Sequence, residues 1–86
     1  MIQHMKKAIV VGATSGIGKE LAKILAGKGY TVGLAARRGE LLLALQKELP
    51  SKAYIRIMDI CNADDAQKSL TDLIAEMGGV DLVIIS

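Results

Sequence analysis

Aromatic side chains are nearly missing: the 86 residues include two tyrosines and neither phenylalanine nor tryptophan. A core made from this chain is therefore aliphatic, built of Leu, Ile, Val, Ala and a few Met. The charge is small as well, +2 at pH 7, and evenly spread. No basic run carries interleaved rings, which argues against a nucleic-acid partner. Cys61 is the single cysteine, so no disulfide forms within the chain, and a reducing cytoplasmic compartment fits best. His4 is the single histidine, and no Cys/His cluster has the spacing of a zinc site. No apolar run approaches the ~20 residues of a membrane span. The amino end, "MIQHMKK", lacks the apolar stretch of a signal peptide. These absences leave one small soluble domain as the expectation, with no membrane or metal partner.

What is present is an alternation of two periods. Lys7 to Val11, "KAIVV", reads as a short strand buried on both faces. From Gly16 the period becomes helical, with Ile17, Leu21, Ile24 and Leu25 on the face expected to turn inward. Gly27 and Gly29 end this helix. Tyr30 to Ala36 reads as a second strand and Gly39 to Leu49 as a second helix, with Leu41, Leu42, Leu45 and Leu49 inward and Pro50 as its stop. Ala53 to Met58 alternates visibly, as expected of a half-exposed strand at a sheet edge. Ala63 to Met77 is a third helix, capped by Asn62, with Ala66, Leu70, Leu73, Ile74 and Met77 on one face. Val80 to Ile85 is a fourth strand.

Strands alternating with helices in this way predict an α/β fold with a doubly wound parallel sheet. Right-handed crossovers put the first two helices on one face and the third on the other, with strand order 3-2-1-4. A ligand crevice is then expected beyond the carboxyl ends of strands one and four, where the order reverses. Ser86 directly follows "LVII", leaving strand four as a bare apolar edge, a form natural proteins avoid. The expectation is that residues 1–86 are the amino-terminal half of a dinucleotide-binding domain, truncated after strand four. The alternative is a small domain that pairs through that edge.

The chemistry lies in "VVGATSGIGKELAK", Val10 to Lys23. A pyrophosphate carries negative charge, and a helix N-terminus offers free N–H groups and a partial positive charge. Gly12 lets the chain turn off strand one, Gly16 permits close approach of a phosphate, and Gly18 lets the helix pack tightly on the sheet. The hydroxyls of Thr14 and Ser15 suit phosphate oxygens or a helix cap. The competing reading is a glycine turn that only tightens a strand–helix corner. The glycine spacing, G-x-x-x-G-x-G, differs from the general G-x-G-x-x-G fingerprint.

"VGATSGIG", Val11 to Gly18, resembles the nucleotide-binding signature of the short-chain dehydrogenase/reductase family, T-G-x-x-x-G-x-G, with Val11 where the family has Thr. The resemblance implies a Rossmann-type nucleotide-binding domain and spans every element of the chain, but only the first third or so of a typical member. It places Gly12, Thr14, Ser15, Gly16, Ile17 and Gly18 at the cofactor. At the end of strand two, Ala36 stands where NAD binders carry an acidic residue, and Arg37 and Arg38 follow. Guanidinium groups pair a 2′-phosphate well, and Ser15 is a further candidate contact, so NADP is the expected cofactor and NAD the alternative. The competing reading leaves both arginines as solvated charges at the start of helix two. Asp59 and Ile60 resemble the family's Asp-Val pair beside the adenine ring; the competing role for Asp59 is to cap helix three. Cys61 reads as structural.

"VDLVIIS" resembles the strand that leads into the family's Asn-Asn-Ala-Gly stretch, with Ile85 and Ser86 at the two Asn positions. Family members transfer a hydride between nicotinamide and a carbonyl or alcohol, using a Tyr and a Lys four residues later. Neither tyrosine fits: four residues after Tyr30 is Leu34, and four after Tyr54 is Met58. The resemblance thus implies an NADP(H)-dependent oxidoreductase of which this chain supplies the cofactor half, inactive alone, with no catalytic residue of its own. Full members act on small-molecule carbonyls or alcohols and form homo-oligomers. The alternatives are a non-catalytic dinucleotide-binding redox sensor and a self-pairing structural domain.

Overall fold

Lys7 to Val11 form β1 at the centre of a four-stranded parallel sheet, in a computed structural model that describes residues 6–86; His4 lies outside the described residues. The chain continues through α1 (Gly16–Gly27), β2 (Thr31–Ala36), α2 (Gly39–Glu48), β3 (Ala53–Ile57), α3 (Ala63–Met77) and β4 (Leu82–Ile85). The sheet order is β3-β2-β1-β4, the order expected from the strand–helix alternation. The register pairs Ile9 with Gly33 on one side and with Val83 on the other. The two central strands are buried almost throughout, and β3 at the edge is half-buried.

Two aliphatic cores lie on the two faces. On one, Ala8, Val10, Val32 and Leu34 pack against Ala22 and Leu25 of α1 and Leu42 and Leu45 of α2. On the other, Ile9, Val11 and Ala35 pack against Leu73 and Met77 of α3. Alternate residues of β1 thus feed opposite cores, as the period of two in a strand requires. Asn62 caps α3 through its side-chain oxygen, which accepts from the Asp65 amide at 3.1 Å. Gly78 closes that helix with φ +79°. α2 ends one residue before the expected Leu49, because a residue preceding proline is driven out of the helical region; Leu49 has ψ 140°.

The inward face of α1 differs from the expected one. Ile17 is 74% exposed and Ile24 50% exposed, while Gly18, Ala22, Leu25 and Ala26 are buried. The helix is rotated by one residue relative to the aliphatic stripe. Small residues at 18, 22 and 26 let its axis approach the sheet, and that close packing sets the rotation in place of the larger side chains. Likewise Leu41 is 43% exposed, whereas Leu42, Leu45 and Leu49 are buried as expected. β4 pairs with β1 on one side only. Ile84 packs on the core under α1 and α2, but α3 does not reach across to Val83 and Ile85, which stay exposed.

Candidate functional site

The carboxyl ends of all four strands meet around the loop that leaves β1. The amides of Gly12 and Ala13 both donate to the Ala35 carbonyl, at 2.8 and 3.1 Å, tying the loop to β2. The Met58 amide donates to the Ala36 carbonyl at 2.9 Å, and the Ser86 amide to the Val11 carbonyl at 2.9 Å. Gly12 has φ +81°, a backbone state that L side chains rarely adopt. The turn off β1 therefore requires glycine there.

Gly18 is required for a different reason. A Cβ at this position would collide with the Gly12 carbonyl oxygen, so the first turn of α1 can sit against the loop only without one. At Gly16 nothing lies within 4 Å of where a Cβ would point. The packing of this chain thus accounts for Gly12 and Gly18 and leaves Gly16 facing open space.

Ser15 is the N-cap of α1 and accepts from the Gly18 amide at 3.3 Å. The Gly16 and Ile17 amides find no acceptor among the described residues. No acidic side chain sits in the first turn of α1, whereas α2 has Glu40 and α3 has Asp64 and Asp65 in theirs. The positive end of the α1 dipole is therefore uncompensated by the helix itself and directed at the loop mouth.

A cleft of about 260 Å³ opens beside this loop, lined by the two loop hydroxyl residues Thr14 and Ser15, by Arg37 and Arg38, and by Leu41 and Ile60 among others. No carboxylate lines it. Arg37 and Arg38 are exposed and form no ion pair among the described residues. Arg38 is the N-cap position of α2 and makes no side-chain cap bond. Two guanidinium groups thus stand next to the positive end of a helix, an arrangement the fold alone does not reward.

Of the residues singled out from the sequence, Gly12, Thr14, Ser15, Arg37, Arg38 and Ile60 line this cleft. Gly16 and Ile17 lie at the exposed start of α1, and Gly18 is buried beneath the loop. Asp59 stands outside the cleft lining. One of its carboxylate oxygens, Oδ1, accepts from the Cys61 amide at 3.0 Å, and its own amide donates to Asp65 Oδ2 at 3.1 Å. This local turn leads into α3. Leu41, which its helical period predicts to face inward, lines the cleft instead, because an apolar residue at that period looks the same whether it faces a core or a cleft; Met58, buried in the core under α3, borders the cleft as well.

A model of the short chain dehydrogenase family matches residues 6–86. The chain belongs to that family. It is 34% identical over 83 residues to glucose 1-dehydrogenase of Gluconobacter oxydans, an alignment covering 92% of this chain and 31% of the relative. Among solved structures it is similar to an actinorhodin polyketide ketoreductase variant crystallised with NADPH, with a TM-score of 0.87 and 32% identity over 95% of this chain and 33% of that one. It is also similar to an alcohol dehydrogenase from Thermococcus sibiricus complexed with 5-hydroxy-NADP. There the TM-score is 0.83 and the identity 30%, over 93% of this chain and 36% of that one. The short-chain dehydrogenase chain described here thus spans about a third of the length of such relatives.

Proposed function

We propose that residues 1–86 form the cofactor-binding half of a short-chain oxidoreductase that uses NADP(H) and acts on a small carbonyl or alcohol. The observation that carries the cofactor choice is the pair of unpaired guanidiniums, Arg37 and Arg38, on a cleft without a carboxylate and beside the glycine loop. An NAD-type site needs an acceptor for the ribose hydroxyls where Ala36 stands. A 2′-phosphate instead meets two bidentate donors. The names of two structural neighbours, solved with NADPH and an NADP analogue, agree with this reading.

The residues fit a dinucleotide. The free amides of Gly16 and Ile17 and the dipole of α1 receive the pyrophosphate, and the open space at Gly16 admits it. Gly12 and Gly18 shape the loop that holds these amides, and Thr14 offers a hydroxyl at the cleft. Arg37 and Arg38 bind the 2′-phosphate. Ile60 and Leu41 give the adenosine end an apolar wall, and the second carboxylate oxygen of Asp59 is an acceptor for the adenine amino group. When bound, the nicotinamide supplies or takes up the hydride. The 86 residues hold no Tyr-x-x-x-Lys, so proton transfer falls to residues outside them and this chain has no turnover alone.

Calorimetry of the full-length protein with NADPH and NADH tests the cofactor assignment. Tight NADPH binding with NADH at least tenfold weaker is expected. Equal affinities overturn the NADP preference, and binding of neither favours a structural, self-pairing domain. NADPH binding without oxidation of the cofactor across a panel of carbonyls leaves a non-catalytic sensor as the reading.

A further inference from the structure

A serine hydroxyl has one donor and two acceptor positions. At Ser15 all three are taken within the protein. Its Oγ donates to the Gly12 carbonyl at 2.8 Å, accepts from the Gly18 amide at 3.3 Å, and meets Ser86 Oγ at 3.1 Å. Because its proton lies on Gly12, the third bond runs from the Ser86 hydroxyl to Ser15. Ser86 is itself held by the bond from its amide to the Val11 carbonyl. The loop is thus gripped at both ends. β1 and β2 hold Gly12 and Ala13, and the end of β4 holds Ser15.

We propose that Ser86 is a positioning residue for nucleotide binding: through Ser15 it fixes the first turn of α1, and with it the direction of the Gly16 and Ile17 amides. This rests on the reading of that turn as the pyrophosphate site. The sequence makes Ser15 a candidate contact to the 2′-phosphate, but its hydroxyl is already committed within the protein. With its proton on Gly12 it has no donor for a phosphate oxygen. Thr14 lines the cleft and has no side-chain partner among the described residues. It is the loop hydroxyl free to donate.

The test uses the full-length protein and the variants Ser86→Ala, Ser86→Thr, Ser15→Ala and the double Ala variant. NADPH and NADH affinities are measured by calorimetry, and backbone hydrogen exchange over residues 13–19 is measured without nucleotide. Ser86→Ala should weaken both nucleotides by about three- to tenfold, the loss of one hydrogen bond. Ser86→Thr, which keeps the hydroxyl, should restore binding. The double variant should bind no worse than Ser15→Ala, since the second hydroxyl then has nothing left to hold. Exchange over residues 13–19 should quicken in Ser86→Ala while exchange in α3 stays unchanged. Wild-type affinity and exchange in Ser86→Ala overturn the proposal, as do independent, additive losses in the double variant. If the wild-type protein binds neither nucleotide, the functional reading fails. The exchange measurement then still decides whether Ser86 holds the loop.

Discussion

Gly16 and Gly18 lie two residues apart and serve different ends. At Gly18 a methyl group would press on the Gly12 carbonyl, and backbone gives way less readily than the tip of a side chain. Gly18→Ala should therefore destabilise the protein by about 1–3 kcal/mol in urea unfolding, as overpacking does. Gly16→Ala meets nothing, so its stability should stay within about 1 kcal/mol of wild type. It should instead lose nucleotide affinity, about tenfold or more, because the methyl occupies space left for the ligand. Unaltered NADPH binding in Gly16→Ala would count against the loop as a phosphate site. Arg37→Ala should weaken NADPH about tenfold, the value of one charge-assisted contact, and leave NADH nearly unaffected. Calorimetry with the two cofactors reads the difference. These residues were legible in the sequence because glycine and arginine have few reasons to stand where they do. Ser86 was not, since its meaning depends on a hydroxyl 71 positions away.

At the scale of elements, helix ends were easier to read than helix faces. Asn62 caps α3 as its side-chain chemistry demands, through the 3.1 Å bond from the Asp65 amide. Asn62→Ala should cost about 1 kcal/mol of stability, measured as a lowered midpoint in urea at unchanged slope. A cap is a local device, so its residue type announces it. The face of α1 is a tertiary matter. Ile17, Leu21 and Ile24 form the more hydrophobic stripe, yet Gly18, Ala22 and Ala26 face the sheet. Close approach of a backbone to a sheet is decided by what is small, and a hydrophobic period counts only what is greasy. The same ambiguity put Leu41 in the expected core, when it borders the cleft.

Across the whole molecule, the two edges of the sheet differ. β3 is half-covered, since Tyr54 packs on the α3 core and Ile55 on the other. β4 leaves Val83 and Ile85 bare, the latter 68% exposed. An apolar strand with unpaired backbone invites pairing. The 86-residue chain prepared alone should associate as its concentration rises, and Val83→Lys should suppress this in sedimentation velocity. A monomer at all concentrations would show that the edge is protected in some other way.

The sequence by itself determined the element order, the strand order and the identity of the glycine loop, because each follows from local rules: period, caps, turn residues and the handedness of crossovers. Only the tertiary structure decided the rotation of α1, the place of Leu41 at the cleft and the bond between Ser15 and Ser86. Those depend on which surfaces meet once distant segments pack, and that information is carried by distances rather than by residue types.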